Sequence, residues 1–279
     1  MKTKEPSDVE KTAILTALKR ASSGSSVDLF IADELSRIYK NYIENDVGHI
    51  DMDDVYCLEL VIRQELIVLL AERENPDIVF DLGCGLTVLG RRVSSHFNVP
   101  VVEVDTHGII STRESCLRGI EKQFYGDYKY LSGDIIASDV WKRIDVGSYS
   151  RPLFLCEGLM RYFDMSEKKL LAENIKSRLK SSGTWITCDV TLASMIENES
   201  KNPDFDDKGL ANAVYHRKDN SFASVASCIG FFNDVGLDAK HHTPRDHLVE
   251  LSSRVFETSQ PDILNAGEYV NVLRLKKHR

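Results

Sequence analysis

The spacing of hydrophobic and polar positions changes character twice along the chain. From Val9 to Ala21 apolar residues recur at helical spacing, Ser22–Ser26 breaks the pattern, and a second helical stretch runs from about Val27 to Tyr42. Asp46–Asp54 is polar and reads as a loop, and Leu58–Glu72 is a third helix, apolar on more than one face. Beyond it the pattern becomes short apolar runs: Ile78–Leu82, Val99–Val104, a weaker Tyr128–Leu131, Leu153–Cys156 and Trp185–Cys188. Helical patterns separate them at Val88–His96, Ile109–Gln123, Ile135–Arg143 and Glu167–Lys180. Strands alternating with helices predict an α/β fold, a doubly wound, mainly parallel sheet. Strands this continuously apolar predict helices on both faces.

After Asp189 the alternation lapses. Leu192–Asn220 is polar and predicts a helix plus a long loop, inserted as a lid over a ligand. Ala223–Asp234 reads as a helix stopped by Gly236, and Val270–Leu275 as a late, antiparallel strand. The expected organisation is an N-terminal helical cap over residues 1–75 and an α/β domain over 76–279, with the lid insert at about 192–220.

Composition narrows the function classes. The net charge of −8 argues against a nucleic-acid or membrane-surface partner. The longest apolar run, Leu66–Ala71, is far short of the ~18 residues of a membrane span. The first residues lack the apolar core of a signal peptide, so a cytoplasmic protein is expected. Six cysteines without a CxxC pair predict reduced thiols and no metal site.

Candidate chemistry gathers at strand ends. Val79-Phe80-Asp81-Leu82-Gly83-Cys84-Gly85 is an apolar strand running into a Gly-x-Gly turn before a helix. Asp105, at the end of the next strand and 22 residues after Gly83, stands where a ribose-binding carboxylate sits in doubly wound nucleotide folds. A dinucleotide site would want a third glycine, which is absent, and Asp81 would repel a pyrophosphate. A cationic ligand without phosphate suits the turn better, and S-adenosylmethionine (SAM) has a sulfonium, an amino group and a ribose diol. Gly133-Asp134-Ile135 follows the third strand, where Asp134 could accept from an adenine amino group or cap a helix. Glu157-Gly158 follows the fourth, where a buried carboxylate needs either a cationic ligand or an ion pair with Arg63 or Arg161. Asp189, after the fifth strand, reads as a loop-start cap. Cys84 reads as structural, and His216, His241, His242 and His247 as surface or packing residues, with a general base as the alternative.

The series FDLGCGLTVLGRRV, VVEVD, SGD and PLFLCEGLMRYF, in that order, resembles the leucine carboxyl methyltransferase family. That family includes bacterial O-methyltransferases of the tetracenomycin carboxyl methyltransferase type. VEKTAILTALKRA, IRQELI and FFNDVGL are similar to its other elements, so the likeness spans roughly Val9 to Leu237. The sequence departs from the family at Leu86-Thr87-Val88, at Gln64 and at Thr106-His107-Gly108. The resemblance implies a Rossmann-like class I methyltransferase with a seven-stranded sheet and SAM as cofactor. It implies that Arg63 binds the cofactor carboxylate and that Gly83, Cys84 and Gly85 pack on the methionine moiety. Asp105 would hold the ribose, Asp134 and Ile135 the adenine, and Glu157 the amino group; Tyr162 would face the acceptor. A carboxylate acceptor, in a small molecule or at a peptide C-terminus, needs no general base, only a cation or hydroxyl to fix it, and Arg63 and Tyr162 are the candidates. O-methylation of a phenol or alcohol and a non-catalytic binding protein on the same fold are the alternatives.

Overall fold

The computed structural model describes residues 5–21, 24–47, 55–190, 192–195, 220–255 and 258–278. The chain opens with helices α1 (Asp8–Arg20), α2 (Ser26–Ile38) and α3 (Val55–Glu72). Strands and helices then alternate as β1 (Ile78–Leu82), α4 (Leu89–Phe97), β2 (Val101–Asp105), α5 (His107–Leu117), β3 (Tyr128–Ser132), α6 (Ser138–Arg143), β4 (Pro152–Cys156), α7 (Met165–Arg178) and β5 (Thr184–Thr187). The C-terminal part adds α8 (Val225–Val235), β6 (Leu237–His242), α9 (Leu248–Ser252), α10 (Gln260–Ala266) and β7 (Val272–Lys277).

These strands form one seven-stranded sheet in the order β3-β2-β1-β4-β5-β7-β6. β1 to β5 are mutually parallel, and β7 runs antiparallel to both β5 and β6. The α/β class, the parallel body and the antiparallel last strand agree with the sequence pattern. β6 was not expected: Leu-Asp-Ala-Lys-His-His is too polar for a covered strand, and it survives because it is an edge strand paired on one side.

Period-two alternation explains why the central strands are apolar throughout. Ile78, Phe80 and Leu82 of β1 join the cluster under α6, α7 and α8, whereas Val79 joins the cluster under α3, α4 and α10. Phe154 and Cys156 of β4 face the first side, Leu153 and Leu155 the second. α3, grouped by the sequence pattern with the cap, packs its Ile62, Leu66 and Leu70 into that second cluster against the sheet. A third cluster joins α1 and α2 to α5 and to Leu86 and Val88 of the loop after β1. That packing lays α1 across the C-terminal ends of the parallel strands.

Several boundaries shift. The stretch Val27–Tyr42 breaks at Tyr39 into α2 and a further turn; of the expected loop Asp46–Asp54, Asp46 and Val47 belong to a π-turn, Ile43–Val47, and residues 48–54 lie outside the described residues. β2 begins at Val101, after Asn98 caps α4 in the left-handed conformation and Val99 and Pro100 lead on into the strand. The pattern Ile109–Gln123 stops at Leu117, and a single 3-10 turn, Glu121–Gln123, follows. The helix expected from Ile135 starts at Ser138. Residues 196–219, most of the expected lid insert, lie outside the described residues; at its edges Leu192 bridges Phe222.

Candidate functional site

A cavity of about 200 Å³ opens at the carboxyl ends of β1 to β4, beside the point where the strand order reverses between β1 and β4. That is where open α/β sheets bind ligands. Arg63, Asp81, Gly83, Cys84, Gly85, Asp105, Gly133, Asp134, Ile135, Glu157, Gly158 and Tyr162 all line it. One face of α1 completes the wall with Val9, Thr12, Ala13, Thr16 and Arg20.

The floor is the turn after β1. Gly83 has φ +66°, and a Cβ there would stand 2.7 Å from Leu159 Cδ1, so backbone conformation and space both require glycine. Asp81 is buried beneath the turn and accepts from the Gly90 amide at 3.0 Å. Gly90, which the sequence pattern left unremarked, is needed because a Cβ would meet the Asp81 carboxylate at 2.7 Å. Burial pushes the Asp81 carboxyl up to about 7, against the opposing charge of Arg113. Burial likewise raises the Cys84 thiol, which fits a structural and not a nucleophilic role.

Asp105 reaches back to the same turn. One carboxylate oxygen accepts from the Gly85 amide at 2.8 Å, the other from Thr106 at 2.7 Å. Asp134 is exposed at the cavity rim and accepts from the Ile136 amide at 2.9 Å. It therefore closes a local turn and is not the cap of α6, whose cap position is Ala137. Asp189 lines a small neighbouring cavity, not this one; it is buried and accepts from the Thr187 hydroxyl at 3.0 Å rather than capping an exposed loop.

Glu157 carries the densest electrostatics. Its Oε1 takes the Arg63 Nε at 3.0 Å and also the guanidinium of Arg20. Of the pairings open to it in the sequence, Arg63 is present, and Arg20 joins it. Burial would raise this carboxyl, but the charges and hydrogen bonds of Arg20 and Arg63 outweigh it and hold it below the usual carboxylate range. Its Oε2 is buried without a hydrogen-bond partner, as are Nε and Nη1 of Arg20. Such orphaned buried groups at one ion pair call for a ligand that both donates and accepts. Arg20 escaped the sequence reading because a basic residue in the last turn of a helix is ordinary, and its partner lies far away in sequence.

Tyr162 lines the cavity, and burial raises its hydroxyl so that it stays a proton donor. Among the described residues no histidine does so. His241 bonds to Asn271, and His242, the last residue of β6, pairs with His247 at 3.0 Å, where burial pushes His242 down to about 4. His216 lies outside the described residues. Among the described residues no group of three or more His, Cys, Asp or Glu side chains could hold a metal ion, and no helix is long and apolar enough to cross a membrane.

No protein-family model matches the chain, and no curated protein sequence does either. Solved structures are similar to it. A DUF574-family protein from Streptomyces avermitilis superposes with a TM-score of 0.52 at 12% identity, over 95% of this chain and 97% of its own. The magnesium protoporphyrin IX methyltransferase of Synechocystis PCC 6803, solved with bound SAH, gives a TM-score of 0.49 at 12% identity over 88% and 97%. Human N-acetylserotonin methyltransferase, solved with SAM, gives 0.47 at 12% over 98% and 72%. At such identities the likeness is one of fold. What is shared is a seven-stranded α/β sheet with a single antiparallel strand next to the edge.

Proposed function

We propose that this chain is a SAM-dependent O-methyltransferase whose acceptor is a carboxylate, of the kind the resemblance to leucine carboxyl methyltransferases implies. The observation that carries this reading is the cavity: residues from five separate segments, each suited to SAM chemistry, line one crevice at the strand ends. The residues suit the cofactor. Two buried carboxylates, Asp81 and Glu157, face a cationic ligand, and the open Oε2 of Glu157 can accept from an ammonium. Arg20 and Arg63 can receive the amino-acid carboxylate, Asp105 the ribose hydroxyls, and Asp134 with Ile135 the adenine. The turn at Gly83–Gly85 lets the ligand approach the backbone closely.

Bound SAM would supply an electrophilic methyl group; the chain's own part is to orient, to neutralise charge and to exclude water. A hydroxyl acceptor would want a base titrating near neutrality. The cavity offers Tyr162 and Cys84, both raised by burial, and the arginines Arg20, Arg63 and Arg161. Asp81, raised to about 7, lies under the turn and is bonded to Gly90, and Asp105, also raised by burial, is taken up by the Gly85 and Thr106 amides. An acceptor already anionic needs no base, and the arginines with the Tyr162 hydroxyl can hold it.

Calorimetric titration with SAM, SAH and NAD, followed by transfer of labelled methyl to a panel of carboxylic acids and phenols, tests this. Micromolar binding of SAM and SAH but not NAD is expected, with label released as methanol by mild base. Absence of binding overturns the cofactor assignment, and base-stable label overturns the carboxylate.

A further inference from the structure

Beneath the turn after β1 lies a buried charge cluster that the roles above do not use. Arg113 of α5 and Glu103 of β2 are 1% and 0% exposed, and Arg91 of α4 is 1% exposed. Arg113 pairs with Glu103 and sends its Nη1 upward to two backbone carbonyls of the loop, Gly85 at 3.1 Å and Thr87. Glu103 is held in turn by Arg91, whose Nε reaches both carboxylate oxygens at 3.1 Å and whose Nη2 reaches one at 3.0 Å. Arg91 is itself fixed by the Tyr130 hydroxyl at 2.5 Å and by the Tyr128 ring at 4.1 Å.

The cluster thus has a near and a far end. The Arg91 guanidinium is bonded to Glu103 and Tyr130, whereas Arg113 grips two loop carbonyls. Asp105 grips the amide of the same Gly85. The peptide units around Gly85 are therefore held on both the carbonyl and the amide side, by two side chains from different elements.

We propose that Arg113 is the positioning residue of the cofactor loop. Its guanidinium, paired with Glu103, fixes the Gly85 and Thr87 carbonyls, so that the turn and the Asp105 carboxylate bonded to it are set before any ligand arrives. The inference rests on the reading of the cavity as a SAM site. A planar fork is needed to reach two carbonyls and a carboxylate at once, which an ammonium on a flexible stem does not reproduce. A ligand that must order its own loop binds more weakly than one that meets it ordered.

The test compares Arg113→Lys with Arg91→Lys, measuring the melting temperature and the SAH dissociation constant of each. Both substitutions keep the buried charge opposite Glu103. Arg113→Lys is expected to weaken SAH roughly tenfold or more, and Arg91→Lys to lower the melting temperature with SAH affinity close to wild type. SAH affinity unchanged in Arg113→Lys, or losses in both variants that simply follow their melting temperatures, overturns the proposal. Should Arg113→Lys not fold, amide exchange at Gly85 and Leu86 in the wild-type chain decides. Protection already present without SAH is expected; protection that appears only with SAH overturns the proposal. A wild-type chain that binds no SAH overturns the cofactor reading and this inference with it, whereas a binding wild type with indifferent variants overturns the inference alone.

Discussion

At the scale of single residues, Asp81 makes the sharpest demand. Its carboxyl is buried, bonded to Gly90, and feels Arg113 in one direction and Glu103 and Glu157 in the other. Its pKa is raised to about 7 from an ordinary value of 3.8. The folded chain therefore holds a proton that the unfolded chain has lost between about pH 4 and 7, and stability falls as pH rises through that window. A cationic ligand favours the ionised form, so its binding releases that proton. SAM affinity is expected to tighten with pH, by at most about tenfold per unit, and to level off above about 7. Calorimetry from pH 5 to 8 checks this, and Asp81→Asn should flatten the profile. The acidic residues and glycines at the strand ends were legible because each has a chemical reason to stand where an apolar run stops. Arg20, Arg113, Glu103 and Arg91 were not, because their roles depend on partners that no local pattern brings together.

At the scale of elements, α1 does more than cover the sheet. Its first turn is tied down through Glu10, which closes a capping box with Ser7 and accepts from the Tyr39 hydroxyl, itself bonded to Thr112 of α5. Its last turn is tied down by Arg20 on Glu157. The face between lines the cavity with Val9, Thr12, Ala13 and Thr16. A ligand that engages Glu157 Oε2 and Arg20 would lock the C-terminal anchor, so SAH is expected to slow amide exchange across residues 12–20 more than across α7. Glu157→Gln should weaken SAH roughly ten- to a hundredfold, the range for losing hydrogen bonds to a charged group. An exchange pattern in α1 indifferent to SAH would mean that α1 is a fixed wall with no part in binding. Periodicity located α1, whose one covered face imposes a helical spacing, and the central parallel strands stood out as continuous apolar runs because both their faces are covered. It missed β6, whose polar sequence reflects an edge with one strand neighbour, and it ran helices past Leu117 and ahead of Ser138, where tertiary contacts decide the ends.

At the scale of the whole molecule, three hydrophobic clusters meet at the site. Two cover opposite faces of the sheet, and the third joins α1, α2 and α5 to Leu86 and Val88 of the loop that frames the cavity. The ligand would touch residues from the cap, from both sides of the strand-order reversal and from the loop between them. Its binding free energy should therefore appear as stability of the whole fold and not of one part. At a free concentration a hundred times the dissociation constant, a ligand that binds the folded chain alone adds about 2.7 kcal/mol. For a chain of this size that corresponds to a rise of roughly 5–10 °C in melting temperature. A single cooperative transition that moves upward with SAH and stays put with NAD is expected. Two transitions, with only the lower one responding, would mean that the cap melts apart from the sheet and that the ligand is held by the cap alone. A cavity lined by residues from both α1 and the ends of β1 to β4 does not predict that outcome.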